Sequence, residues 1–80
     1  MRIGEAVKRR ITDLCDERKI TLNKLATISG ITQSTLNNIT SGRNKSATIS
    51  TLKKICDGLD ITLAEFFSTP EFDALEQEIK

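Results

Sequence analysis

The sequence has no histidine, tryptophan or tyrosine, and only two cysteines among its 80 residues. Without histidine the usual general base at neutral pH is missing, and two cysteines fall short of the roughly four ligands of a structural zinc site. No glycine-rich phosphate loop or catalytic triad takes their place, and the carboxylates fall on the solvent sides of the expected helices. We therefore expect neither an enzyme nor a protein with a cofactor, a metal ion or a small-molecule substrate.

Long apolar runs are also missing. No stretch approaches the about 20 residues that cross a membrane, and the N-terminus lacks the apolar core of a secretion signal. Three phenylalanines are the only aromatic residues, which provides no clear stacking platform for RNA or single-stranded DNA. Cys15 and Cys56 fall on apolar helix faces, where we expect reduced thiols in core packing; a redox or disulfide role is the alternative. These features favour a cytoplasmic protein without membrane contacts.

The charges that are present are unevenly distributed. Residues 1–45 contain nine Lys/Arg and four Asp/Glu, a net charge of +5, whereas residues 46–80 contain three and seven, a net charge of −4. The two values add to the net charge of +1 of the whole chain. That net charge alone would not predict binding to a polyanion. The basic half, however, indicates a polyanionic partner on that side.

Helical periodicity runs through the chain, and no strand pattern accompanies it. A first helix is predicted over residues 3–19, and another begins after Thr48 and ends in a left-handed Asp60. Gly58 is expected to weaken the last turn of the helix that begins after Thr48. The inward-facing residues of these two helices are Ile3, Val7, Ile11, Leu14, Leu52, Ile55, Cys56 and Leu59.

The C-terminal part carries two shorter helix signals. Thr62 and Glu65 have the spacing of a capping box, which predicts a helix over residues 63–68. Pro70, at a first helical position, opens a final helix in the acidic tail of residues 70–80. The tail has one apolar stripe, which consists of Phe72, Leu75 and Ile79. So short a helix is marginal alone, and the stripe must dock on its own domain or on a second copy. We favour the second copy, and hence dimerisation, because five preceding helices already close a core.

Residues 21–42 predict two short helices joined by a tight turn. The first helix begins at Thr21, a hydroxyl residue suited to accept from the open amides of a helix start, and the second begins at Thr32. Gly30 can take the positive φ of a sharp helix end, and Ala26 is small where the second helix must cross. Together these features predict a helix-turn-helix unit.

The outward face of the second helix in this unit is uncharged. With about 100° between successive residues, inward-facing Leu36 and Ile39 aim a row of amides and hydroxyls at the solvent. This row consists of Gln33, Ser34, Asn37, Asn38 and Ser41. An ordinary solvent face is rich in Lys and Glu, whereas short amides and hydroxyls suit hydrogen bonds to base edges. The alternative is a merely polar surface helix.

The loop after this helix contains two cations. Gly42 is expected to close the helix as a left-handed residue, and Arg43 and Lys45 follow it. Cations that flank an uncharged face are typical of phosphate contacts, which fix a helix in a groove. A solubilising loop is the alternative.

A set of residues spread over positions 3–67 matches the pattern of one known family. They are Leu25-Ala26, Gly30-Ile31, Gln33-Ser34-Thr35-Leu36, Ile39, Gly42, Leu52, Ile55, Leu59-Asp60-Ile61 and Phe66-Phe67. This set resembles the Cro/C1-type (XRE) helix-turn-helix domain. The resemblance implies an all-α fold, with a five-helix lambda-repressor-like domain over residues 1–69 and the tail 70–80 as a short helical extension. It also implies that the helix of residues 33–41 enters the major groove.

The resemblance assigns roles by position. Gln33, Ser34 and Asn38 correspond to base readers, and Thr32, Asn37, Arg43 and Lys45 correspond to contacts with the DNA backbone. Leu22 replaces a family Gln that touches phosphate and orients a reader, so that contact is expected to be lost. The other departures are Cys15 and Thr40, in place of an Arg–Glu pair whose joint loss indicates that the two positions still touch, and Ala47 in place of a Pro.

The leading interpretation is a sequence-specific double-stranded DNA-binding regulator, specifically a repressor, that binds a palindromic operator as a homodimer. Phosphate contacts would supply affinity, and the uncharged face would discriminate bases. The alternative is a protein-interaction module, antitoxin-like or regulator-binding, which the modest net charge and the tail stripe favour. Binding to duplex DNA separates the two hypotheses.

Overall fold

The computed structural model describes residues 2–41, 47–77 and 79, and these residues form six helices. In chain order the helices are α1 (Ile3–Arg18), α2 (Leu22–Ser29), α3 (Gln33–Thr40), α4 (Ile49–Leu59), α5 (Leu63–Phe67) and α6 (Pro70–Asp73). The described residues include no strand, and the predicted all-α fold is confirmed. Within the same residues, no helix combines the length and apolarity needed to cross a membrane.

Three of the helix junctions are built in the same way. Each of these helices is followed by one residue with a positive φ: Lys19 (55°), Gly30 (69°) and Asp60 (57°). The next residue is an isoleucine whose N–H bonds back into the helix, as when Ile31 donates to the Ala26 carbonyl at 3.1 Å. This double back-bonding is the Schellman arrangement, which ends a helix and satisfies its last carbonyls. The isoleucines pack against the core, and a threonine then caps the next helix; these residues are Ile20-Thr21, Ile31-Thr32 and Ile61-Thr62.

The predicted inward stripes form one core. α1 packs against α3, and α2 packs against α4, so each long helix faces one helix of the helix-turn-helix unit. Phe66 of α5 is completely buried in the same core. The remaining buried apolar residues of the core are Val7, Ile11, Leu14, Cys15, Leu25, Ala26, Leu36, Ile39, Leu52, Ile55, Cys56 and Leu59.

Arg10 ties the first helix to the fifth. Its Nε donates to the Phe66 carbonyl at 2.7 Å and its Nη2 donates to the Glu65 carbonyl at 2.8 Å. These carbonyls lie at the C-terminal end of α5, where a helix leaves acceptors unsatisfied and favours a positive charge. Arg10 therefore stabilises the packing of α5 on α1.

Tertiary packing explains why a residue of weak helix propensity, Gly58, lies within α4. A Cβ at this position would lie 2.7 Å from Ser29 Oγ and 3.1 Å from both the Ile28 carbonyl oxygen and Ser29 Cα. The last turn of α4 therefore crosses the end of α2 at a distance that only glycine permits. The helix continues to Leu59 despite the glycine.

The acidic tail differs from its prediction. α6 is a single turn that ends at Asp73, and the described residues from 74 onward are not helical. Phe72 packs on the molecule's own core, with its ring centroid 4.9 Å from that of Phe67 and 6.1 Å from that of Phe66. Ile79, by contrast, is 86% exposed. The expectation of one helical stripe of Phe72, Leu75 and Ile79 was wrong, because the helix stops before it can align them.

The two cysteines are free and buried, as predicted. Burial raises the pKa of the Cys15 thiol, with a smaller contribution from Asp16, and burial likewise raises the pKa of the Cys56 thiol. Both groups therefore remain protonated and act as apolar packing. The capping box is also confirmed: Glu65 N–H donates to Thr62 Oγ1 and Thr62 N–H donates to Glu65 Oε1, each at 3.0 Å.

Candidate nucleic-acid interface

α3 is capped at its start and buried along one side. The Thr35 N–H donates to Thr32 Oγ1 at 3.0 Å, so Thr32, where the helix was predicted to begin, caps it. Leu36 is completely buried and Ile39 is only 4% exposed. Because the buried residues lie one turn apart, they determine which residues of α3 face outward.

The residues that face outward are those expected from the helical spacing. Gln33, Ser34, Asn37, Asn38 and Ser41 are all exposed, and none of them carries a charge. The three predicted base readers therefore lie together on one accessible face. Thr32 lies at the start of the same face, also exposed. Arg43 and Lys45, the other two predicted backbone contacts, and Gly42, the predicted helix end, lie outside the described residues.

Two amides on this face are joined to each other. Gln33 Nε2 donates to Asn37 Oδ1 at 3.3 Å across one turn of the helix. The sequence interpretation treated these residues as independent contacts and missed the pair. Their spacing of four residues was the available signal, because residues at i and i+4 are neighbours on a helix surface.

Several hydroxyls on this face are already engaged. The Thr32 and Thr35 hydroxyl oxygens lie 2.8 Å apart, and the Thr32 oxygen also caps the helix. The Ser41 hydroxyl donates to the Asn38 carbonyl at 3.1 Å. The groups suited to meet a ligand are consequently the carboxamides and the Ser34 hydroxyl, which carry both donors and acceptors.

The start of α2 supplies one positive charge. Lys24 is exposed in the first turn, where its backbone N–H donates to the Thr21 cap at 3.0 Å. It is the only charged residue in positions 20–41. A cation beside the positive end of a helix favours an anion such as phosphate. The sequence interpretation missed Lys24, and its isolation within an uncharged segment was the signal.

The departures from the family pattern have structural explanations. Leu22 is half-buried and packs against the core, where the family pattern has a polar residue. The Thr40 hydroxyl donates to the Leu36 carbonyl of its own helix at 3.1 Å and needs no charged partner. Cys15 is buried on α1, which packs against α3. Ala47 packs against the core where the family has Pro.

A comparison with protein-family models matches residues 10–71 to the Cro/C1-type HTH DNA-binding domain. The match spans more than half of the chain and includes the whole helix-turn-helix unit. The chain belongs to this family. As a Cro/C1-type domain, it is a DNA-binding protein by family, and its helices α1 to α5 are the expected five-helix domain.

A crystal structure of prophage Lp1 protein 11 is similar to this Cro/C1-type domain along nearly its whole length. The TM-score is 0.82 and the sequence identity is 36%, over 94% of this chain and 100% of that one. No curated protein sequence gave a significant match. Among the described residues, no cluster of acidic or cysteine side chains could hold a metal ion.

Proposed function

We propose that this Cro/C1-type domain is a sequence-specific regulator of transcription that reads the major groove with α3 and acts as a repressor. The observation that carries the proposal is the uncharged row of exposed amides and hydroxyls on α3, aimed outward by Leu36 and Ile39. Gln33, Ser34 and Asn38 would contact base edges. Amides suit this task because they can pair bidentately with adenine.

Phosphate contacts would come from both sides of the row. We propose Thr32, Asn37, Arg43 and Lys45 as backbone contacts and add Lys24, which lies exposed at the start of α2. These residues would fix the orientation of α3 and supply most of the salt-dependent affinity. The proposed mechanism is binding, with no catalytic step.

The proposed regulator binds a palindromic operator as a homodimer. Two copies related by a two-fold axis would place their α3 helices in successive major grooves, about 34 Å apart. Exposed Ile79 and half-buried Leu75 are the tail residues available to such a contact, whereas Phe72 is partly used by its own core.

Selection of bound duplexes from a random pool tests the proposal most directly. We expect the full chain to enrich one motif with two-fold symmetry, and Gln33→Ala or Asn38→Ala to relax the preference at one base pair in each half-site. Lys24→Ala should weaken all duplexes alike and reduce the slope of log affinity against log salt by about one. Lys54→Ala, an exposed lysine on α4, is the matched control. Enrichment of no sequence would contradict the proposal.

A protein-interaction module is the second candidate function. The aromatic surface of Phe67, which is 36% exposed beside Phe72, is the observation that favours it. Removal of residues 75–80 followed by a mass measurement in solution separates the cases. If the tail holds two copies together, its removal should lower the molecular mass of the protein in solution from that of a dimer to that of a monomer. If the full chain binds no duplex and the truncated chain keeps the same oligomeric state, a different protein partner is favoured.

A further inference from the structure

The proposed base reader Gln33 is held by a neighbour on its own helix. Its Nε2 donates to Asn37 Oδ1 at 3.3 Å, and both side chains are exposed. Among the described residues the Gln33 carboxamide makes no other hydrogen bond. The orientation of this amide therefore depends on Asn37.

The orientation of a reading amide matters because its two ends are opposite in kind. Oε1 only accepts a hydrogen bond and Nε2 only donates, and bases in the major groove differ in the order of their donors and acceptors. An amide that can flip presents either order, and the cost of ordering it falls on binding. A bond that fixes one orientation before DNA arrives removes that cost and the ambiguity.

The orientation seen here favours one base. The bond to Asn37 uses one of the two Nε2 protons and leaves the other proton, together with the Oε1 acceptor. An acceptor beside a donor complements adenine, which offers its N6 amino group and its N7. Guanine offers two acceptors at the same edge and would set its O6 against Oε1.

The amide nitrogen of Asn37 is available for a second contact. Its Oδ1 is occupied by Gln33, whereas its Nδ2 has no partner among the described residues. An amide nitrogen on the edge of the reading row is suited to donate to a phosphate oxygen. One side chain can therefore join the backbone contact to the base contact.

We propose that Asn37 is a positioning residue that orients Gln33 through the Nε2–Oδ1 hydrogen bond, so that the pair selects adenine in the major groove while Asn37 Nδ2 donates to a phosphate. The inference rests on the proposed function, because it assumes that Gln33 reads a base. It assigns Asn37 a part in base preference as well as in affinity.

The test uses the full chain and duplexes enriched from a random pool, with each base pair of the enriched motif then varied singly. Asn37→Ala should lower discrimination at the same base pair that Gln33→Ala affects, by about threefold to tenfold, the worth of one hydrogen bond. The double variant should discriminate no less there than Gln33→Ala alone, because one effect acts through the other. Asn38→Ala should act at a different base pair.

Asn37→Asp provides the rescue. An aspartate keeps the acceptor for Gln33, loses the Nδ2 donor and adds a negative charge, so it should preserve the preference for adenine while lowering the affinity for every duplex. A structural role alone would not separate preference from affinity in this way. Both variants should melt like the parent, since Asn37 is exposed.

The outcomes separate the inference from the proposed function. If Gln33→Ala relaxes one base pair and Asn37→Ala weakens all sequences equally, the inference fails and the function stands. Additive effects in the double variant, or loss of preference in Asn37→Asp, would also overturn the inference. If the parent chain enriches no motif, the proposed function fails.

Discussion

α3 and α4 are built alike on the inside. Each begins after a threonine whose hydroxyl accepts from the amide three residues later, at 3.0 Å in α3 and 3.1 Å in α4. Each also buries an aliphatic side chain completely, Leu36 in α3 and Ile55 in α4. The same sequence signals, a hydroxyl cap and an inward stripe, therefore produce the same local structure.

The two helices differ on the outside. α4 exposes an ion pair between Lys53 and Asp57, whereas α3 exposes the amide pair of Gln33 and Asn37, and both pairs span four residues. In an exposed ion pair the two charges interact with each other and with water. An amide pair leaves a donor and an acceptor unused, which a base edge can complete. The two helices thus share their inner construction and differ in the chemistry of the outer face, on which the proposed function depends.

The interior of the two helices should respond equally to truncation. Leu36→Ala and Ile55→Ala should each lower the free energy of unfolding by about 2–5 kcal/mol, because each leaves a cavity in the same core. Urea denaturation measures both. A much milder effect of Leu36→Ala would mean that α3 is not held by the core as the structure indicates.

The exterior should respond unequally to charge. Asn38→Asp and Lys54→Gln each lower the net charge by one, at exposed positions of α3 and α4. A carboxylate on the reading face meets the negative potential of the groove, so Asn38→Asp should lower duplex affinity by about 100-fold or more. Lys54→Gln should change affinity by less than about threefold at fixed salt. Equal effects in a mobility-shift assay would remove the distinction between the two faces.

The crossing of α4 over α2 provides a packing test. Gly58→Ala improves helix propensity by up to about 1 kcal/mol, yet it places a Cβ against Ser29 and should destabilise the fold by about 1–3 kcal/mol net. Ser29→Ala is the control, since the buried Ser29 hydroxyl has no hydrogen-bond partner among the described residues and its loss should be neutral or slightly stabilising. Thermal melts compare the two. A more stable Gly58→Ala variant would contradict the close crossing.

The caps of α3 and α4 should contribute equally to stability and unequally to DNA binding. Thr32→Ala and Thr48→Ala should each cost about 1 kcal/mol of unfolding free energy, because each removes one cap hydrogen bond. Only Thr32 lies on the proposed interface, so only its variant should lose duplex affinity beyond the loss of stability. Affinities measured well below the melting temperature separate these effects, and equal losses of affinity would place Thr48 on the interface too.

Much of the fold was predictable because its determinants are local. The caps at Thr21 and Thr48, the helix start at Thr32 and the left-handed ends at Gly30 and Asp60 were each predicted and are present. Capping involves residues within about four positions, so the sequence carries it directly. The outward row of α3 was predictable for the same reason, since two buried aliphatics define the orientation of a helix.

The features missed by sequence reasoning involve distant partners or an unsuspected pairing. Arg10 donates to the carbonyl of Phe66, which lies 56 positions away, and no local pattern predicts that bond. Phe72 was expected to favour a second copy and instead packs partly on its own core. The Gln33–Asn37 pair was local but was overlooked, because the residues were considered singly.

The sequence by itself determined where the first five helices begin, how α2 and α4 end, and which uncharged row of α3 faces outward, because caps, turns and periodicity act over a few residues. Only the tertiary structure decided that Gly58 must be glycine, that Arg10 secures α5 and that the tail helix stops after one turn with Phe72 on the core. The physical reason is that these features depend on how closely separate helices approach, and helix spacing is a property of the packed core rather than of any single segment.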